Sequence, residues 1–283
     1  MTHDVTDFAG SGGWAARLDL AVARRGERME LARRSHSGPL RVQKPFWPEG
    51  EAPVHVILLH PPGGIVGGDR LEISVEVGAT ASALVTTPAA QKLYRSAERE
   101  SSLAVRIEAR RDAAIEWFPG ETIVFDGARA RQRTRIDLAA GARAIGWEIL
   151  CFGRPASRLP FERGALWQRL EIAREGVPLL VESLRVDGGS RVLSDAWGLA
   201  DRPVCGTFYA TAPSGLALAE RVREGVASRG AVTWAATDLG DLLVVRALAE
   251  HVEDLRAVFV DVWRIVRPAA LGREAVLPRI WAT

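Results

Sequence analysis

The sequence predicts a mainly β protein, in a β-solenoid-like or layered β-sheet arrangement with two α-helices in the C-terminal part. Three observations carry this. Apolar and polar residues alternate along much of the chain, the period of a strand with one buried face. The middle third repeats a strand, a small-residue turn and a return strand roughly every 30 residues, a period suited to stacked units. Only residues 216–226 and 252–266 change to helical spacing.

Residues 1–13 are small, polar and glycine-rich and read as a frayed tail, which leaves 14–283 as a single domain. Leu18, Leu20 and Val22, then Leu40 and Val42, begin the alternation, with Ser37-Gly38-Pro39 as the turn between them. Val54 to Leu59 is a further strand, stopped by Pro61-Pro62. In the repeat, Val75 and Val77 lead through Gly78-Ala79 to Ala81, Ala83 and Val85. Val105 and Ile107 lead through Asp112-Ala113 to Ile115 and Trp117, and Ile136 and Leu138 through Gly141-Ala142 to Ala144 and Ile145. Such a unit cannot bury its apolar face alone. Either the units stack as a solenoid, or three separate hairpins share a sandwich.

Leu166, Leu170 and Ile172, then Leu179 and Val181, continue the strands. Leu216, Ala219, Val222 and Val226 share one helical face, with Ser214 as N-cap and Gly230 beyond the end. Val232 and Trp234, then residues 242–245, return to strand. Val252, Leu255, Phe259, Val262, Trp263 and Val266 form the clearest helix, expected to stop before Pro268.

Composition narrows the function. The 283 residues are 47% apolar and 25% charged, enough to build a core. Basic and acidic residues number 37 and 35, a balance that argues against nucleic acid as a partner. Lys44 and Lys92 are the only lysines, an arginine bias that a high-GC genome accounts for. Cys151 and Cys205 are far apart and in no C-x-x-C spacing, which points to a reducing compartment. The first residues lack the basic and apolar regions of a signal peptide, and no apolar run nears the ~20 residues that span a bilayer. A cytoplasmic protein with no membrane partner is expected.

Catalytic signatures are missing. There is no G-x-x-x-x-G-K-[ST] loop and no G-x-S-x-G elbow. No two of His3, His36, His55, His60 and His251 stand four residues apart. A non-enzyme is expected. The densest motif is His60-Pro61-Pro62-Gly63-Gly64-Ile65-Val66-Gly67-Gly68-Asp69, where glycine lets the backbone approach a neighbour closely and proline stiffens the entry. Residues 86–96, 117–128 and 146–157 are similarly dense.

These four segments, with Leu40-Arg41-Val42-Gln43 before them and Pro278-Arg279-Ile280-Trp281 after, resemble the urease accessory protein D family, also called urease accessory protein H. The match runs through essentially the whole chain after the tail. One departure is Ala89, where the family pattern has glycine. The resemblance implies a largely β fold with two helices and a chaperone role in nickel insertion. Members form a complex with accessory protein F and the GTPase accessory protein G. That complex docks on the urease apoprotein and delivers Ni²⁺ brought by accessory protein E.

Under this resemblance no cofactor is tightly bound and nickel is transient cargo. A carrier with nanomolar affinity and an on-rate near ~10⁷ M⁻¹s⁻¹ would release its ion only after about a hundred seconds. Sparse carboxylates, carbonyls and imidazoles along a wet passage suit Ni²⁺ and let it move. The candidates are Asp69, Glu121, Asp126 and Glu148, with His60 and Thr86 as polar neighbours. Each carboxylate has an ordinary reading as well, satisfying a turn backbone or pairing with Arg70, Arg95 or Arg154. Trp281 is a candidate partner anchor, or alternatively a ring tucked against the core. A pure protein–protein scaffold on urease with no metal contact is the alternative function.

Overall fold

A computed structural model describes residues 13–212, 215–227 and 230–282. Ser214, the expected N-cap, and residues 1–12 of the tail lie outside these. The alternating segments form strands in the expected places. A hairpin, β1 (Ala15–Arg25) and β2 (Arg28–Ser37), opens the chain, followed by β3 (Arg41–Val42) and β4 (Val54–Leu59). The repeat then supplies β5 (Arg70–Val77), β6 (Ser82–Thr86) and β7 (Gln91–Leu93), then β8 (Ser101–Ala109), β9 (Ala114–Phe118) and β10 (Thr122–Val124). Its third unit gives β11 (Arg129–Leu138) and β12 (Arg143–Phe152). A second hairpin, β13 (Ala165–Arg174) and β14 (Val177–Asp187), precedes one helical turn, α1 (Arg191–Ser194). The chain ends with β15 (Val204–Thr211), α2 (Gly215–Gly225), β16 (Thr233–Asp238), β17 (Leu242–Ala249) and α3 (Val252–Leu271).

The units stack as a solenoid does. The two strands of a unit do not pair with each other; the first joins one sheet and the second joins another. The first sheet runs β14-β13-β11-β8-β5-β1-β2, and the second runs β16-β17-β15-β12-β9-β6-β4-β3. Neighbouring units pair in parallel and in register, so Val75, Ile107, Ile136 and Ile172 form one inward rung. The turns stack too. Thr80, Asp112 and Gly141 all take a left-handed conformation, and each of the first two donates its N–H to the next turn, at 2.9 and 3.1 Å.

The layers differ in how they meet solvent. The outer face of the first sheet is a lattice of ion pairs such as Arg110–Glu76 at 3.0 Å and Arg133–Glu171 at 2.7 Å. Each such exposed pair adds little stability, but together they keep the face in water. The second sheet is covered on both sides. On β12, Leu150 and Phe152 enter the core between the sheets, while Ile145, Trp147, Ile149 and Cys151 face α2 and α3. Burial on both faces explains near-continuous apolar strands. It also explains why β15 escapes alternation: its second half, Phe208–Thr211 in sequence, is wholly buried. Among the described residues, no helix is long and apolar enough to cross a membrane.

The structure corrects the end of α3. The helix runs through Pro268 to Leu271, and Gly272, at φ +66°, caps it by donating to the Pro268 carbonyl at 3.0 Å. Proline removes the bond to the carbonyl of Arg264, which lies on the solvent side. Val262, Val266 and Ala270 are buried on both sides of the interruption, so packing holds the helix past it.

Arg267, fully buried on α3, ties the layers together. Its guanidinium donates to Glu116 of β9 at 2.8 and 2.9 Å and to Glu49 at 2.7 and 2.9 Å. Trp263 Nε1 donates to Glu116 at 2.8 Å, and His55 Nε2 lies 2.8 Å from Glu49. Arg267→Ala should leave two desolvated carboxylates without their cation and cost about 3–5 kcal/mol. Denaturant unfolding of the two proteins at neutral pH measures this.

Candidate functional site

Register makes the site. One inward rung of the first sheet reads Leu71, Leu103, Gln132, Gln168, and the next reads Ile73, Val105, Thr134, Leu170. Apolar side chains therefore give way to amides and a hydroxyl at β11 and β13. Glu148 of β12 faces them across the gap between the sheets. The Gln168 amide donates to Glu148 Oε2, and the Thr134 hydroxyl also bonds this carboxylate. Gln132 Nε2 donates to Thr122 Oγ1 at 3.2 Å. Burial pushes the Glu148 carboxyl up from 4.5 to about 7, against the pull of those two donors, and the Glu182 charge adds to the rise.

Two cavities meet at this polar rung. The first, about 140 Å³, is lined by His60, Thr87, Gln91, Trp117 and Gln132, and comes to the surface beside exposed Ala89. The second, about 410 Å³, is lined by Glu182, Cys205, Thr207 and Trp234, and opens beside exposed Arg246. Glu148 and Gln168 are the two residues common to both linings. His60 Nδ1 and Trp117 Nε1 are buried without a protein partner. Buried polar atoms beside a cavity of this size are normally satisfied by water. Burial lowers the His60 pKa, leaving at neutral pH the uncharged imidazole that a metal ion requires. The Cys205 thiol is pushed up to about 12 by burial and stays protonated, so it is a weak ligand. Among the described residues, no three His, Cys, Asp or Glu side chains converge as a metal cage.

A family model described as UreD urease accessory protein matches residues 15–282. This chain belongs to that family. The urease accessory protein UreD of Dechloromonas aromatica is 46% identical over 277 residues, covering 96% of either chain. Its counterpart in Alcanivorax borkumensis is 42% identical over 276 residues, covering 96% of this chain and 93% of the relative. Urease accessory protein UreD 2 of Brucella anthropi is 38% identical over 273 residues, covering 96% and 100%. The motifs that carry the resemblance are thus embedded in full-length similarity to UreD proteins.

In this UreD-family chain the six route candidates separate. His60 and Glu148 line the first cavity together. Asp69 is buried but accepts the backbone N–H groups of Trp14 and Val66 at 2.8 and 3.0 Å, which fixes its loop. Asp126 accepts from the Glu162 and Arg163 backbones at 3.0 and 2.8 Å, and the Arg163 guanidinium holds its carboxyl below the usual range. Glu121 pairs with Arg256 of α3 at 2.8 Å. Thr86 donates to the Phe118 carbonyl at 2.6 Å and accepts from Trp281 Nε1 at 2.9 Å. Trp281 is half-buried, its ring centroid within 5.2–5.7 Å of those of Trp147, Phe118 and Trp263, so its face is already packed.

The glycine loop has an internal purpose. A Cβ on Gly64 would lie 2.2 Å from the Tyr94 ring, so residues 86–96 are what the loop approaches. Gln132, Thr134 and Gln168 were not singled out from sequence. Their signal is present, because they occupy the inward positions of strands whose neighbours in the stack carry leucine, isoleucine and valine there.

The raised Glu148 carboxyl has a stability consequence. Below 4.5, its unfolded value, the group is protonated in both states and costs nothing. Above 4.5 the unfolded chain ionises while the folded carboxyl holds its proton, so the stability held at acid pH is lost between 4.5 and about 7, where the folded group ionises too and the loss is complete. The gap between 4.5 and about 7 corresponds to roughly 3 kcal/mol. Glu148→Gln should therefore match wild type near pH 4, gain on it between pH 4.5 and about 7, and hold that gain at pH 8, as read by denaturant melts across that range.

Proposed function

We propose that this chain is a non-enzymatic urease maturation factor, a cytoplasmic chaperone subunit that passes Ni²⁺ between its two sheets. It works with accessory proteins F and G in GTP-dependent nickel insertion into the urease apoprotein. The observation that carries this reading is the meeting of two cavities at one carboxylate, Glu148, on the polar rung between the sheets.

The chemistry follows from the donor set. A lone carboxylate flanked by amides and a hydroxyl attracts a divalent cation without completing its coordination, so water stays on the ion and release is fast. Neutral His60 near one mouth adds a nitrogen ligand, and the protonated Cys205 thiol avoids a thiolate trap. Glu182, paired with Arg246 at 2.6 Å, keeps a second carboxylate near the other mouth while the arginine offsets its charge. Asp69, Glu121 and Asp126 then serve the passage indirectly, by fixing the loops and the helix around it.

Glu148→Ala and Glu121→Gln, each expressed with the urease genes, separate conduction from scaffolding. Glu148→Ala should lower nickel per purified urease by about tenfold, the scale of losing one ligand-sphere interaction. Glu121→Gln should leave it near wild type, and both variants should still pull down the partner complex. Full nickel in urease matured with an intact Glu148→Ala complex would overturn the passage and leave a pure scaffold.

A further inference from the structure

We propose that Gln168 is the gate of this passage: its side-chain amide closes the neck between the two cavities, and a divalent cation moves through by displacing it. The inference rests on the reading that Ni²⁺ travels past Glu148, and it assigns the step that controls that travel.

Three observations carry it. Gln168 on β13 and Glu148 on β12 come from opposite sheets, line both cavities, and are joined by a hydrogen bond from the amide nitrogen to Oε2. That bond bridges the intersheet gap where the cavities adjoin. The neighbouring amide on the same rung, Gln132, is anchored elsewhere, on Thr122 Oγ1 at 3.2 Å, and is only 7% exposed. Gln168 is half-buried, so its amide has more room to turn. Finally, the rung positions on either side of the two amides are Leu103 and Leu184, side chains that can neither bond Glu148 nor bind a cation.

An amide suits both states of a gate. Its terminal torsion is broad and roughly two-fold, so the group turns over easily. In one orientation its N–H groups satisfy the half-buried Glu148 carboxylate; in the other it presents a carbonyl oxygen. With no cation present, the donor orientation compensates Glu148 and keeps the neck shut. A cation arriving at Glu148 replaces that donor with a stronger positive charge. The turned amide then supplies a neutral oxygen ligand beside the carboxylate. When the ion leaves, the carboxylate draws the N–H back. Closure thus needs no loop or domain movement, only a side-chain rotation.

Two substitutions probe the gate with opposite signatures. Gln168→Glu sets a second carboxylate against Glu148, which should turn a passing site into a holding one. Gln168→Leu restores the apolar rung and removes plug and ligand together. Each variant, with Glu148→Ala beside it, is purified in complex with its partners and titrated with NiCl₂ by equilibrium dialysis. Nickel in the co-expressed urease is measured in parallel. Gln168→Glu should bind Ni²⁺ about tenfold more tightly or better and deliver less of it. Gln168→Leu should deliver less without any gain in binding. A Gln168→Asn variant, too short to reach Glu148, should behave like Gln168→Leu and covers the case in which leucine prevents folding. Wild-type binding and delivery by the Gln168 variants, with delivery lost in Glu148→Ala, would overturn the gate while the passage stands. Normal delivery by every variant would overturn both.

Discussion

Parallel pairing in strict register is the constraint on which the rest of this molecule depends. It places equivalent residues of successive units directly above one another, so whatever one unit does at a given position is amplified along the stack. Repeated isoleucine and valine become a continuous apolar rung at Val75, Ile107, Ile136 and Ile172. Repeated amides become a polar stripe at Gln132 and Gln168, wide enough to keep a carboxylate company inside the protein. A polar substitution in one isolated strand would be a defect. Two neighbouring ones, in register and opposite Glu148, form a lined space.

The second sheet carries two glutamates, Glu116 buried and Glu148 half-buried, whose fates show what decides between structure and cargo. Glu116 points toward the helices, where Arg267 and Trp263 saturate it with charged and indole N–H donors. Glu148 points toward the first sheet, where its partners are neutral and two cavities touch it. A guanidinium fixes charge in place and locks α3 to the β layers. Neutral donors leave the Glu148 charge only partly compensated, and its pKa rises accordingly. The same residue type, on opposite faces of one sheet, thus serves cohesion in one case and exchange in the other.

Much of the site was hidden because sequence density and functional placement are different things. The glycine- and proline-rich segments that stand out at residues 60–69 and 117–128 owe their compactness to packing on residues 86–96, where a Cβ on Gly64, Gly120 or Gly127 would meet Tyr94, Ala89 or Arg95. Their carboxylates, Asp69 and Asp126, accept backbone N–H groups from distant segments, at Trp14 and Glu162, and so pin the loops in place. For Trp281 the sequence leaves open a partner anchor or a ring tucked against the core, and in the structure it closes an aromatic cluster with Phe118, Trp147 and Trp263. The residues that surround Glu148 sit in ordinary strands and draw no notice until their neighbours in the stack are known.

The sequence by itself determined the mainly β class, the repeat of about 30 residues with its small-residue turns, the two C-terminal helices and the kinship with UreD proteins. These are local or collinear properties: period, turn chemistry and ordered motifs survive in one dimension. Only the tertiary structure decided that the units stack in parallel rather than fold as hairpins, that α3 continues through Pro268, and that Glu148 and Gln168 meet between the sheets. Those outcomes depend on contacts between distant segments, where burial and register across strands outweigh what any single stretch of chain prefers.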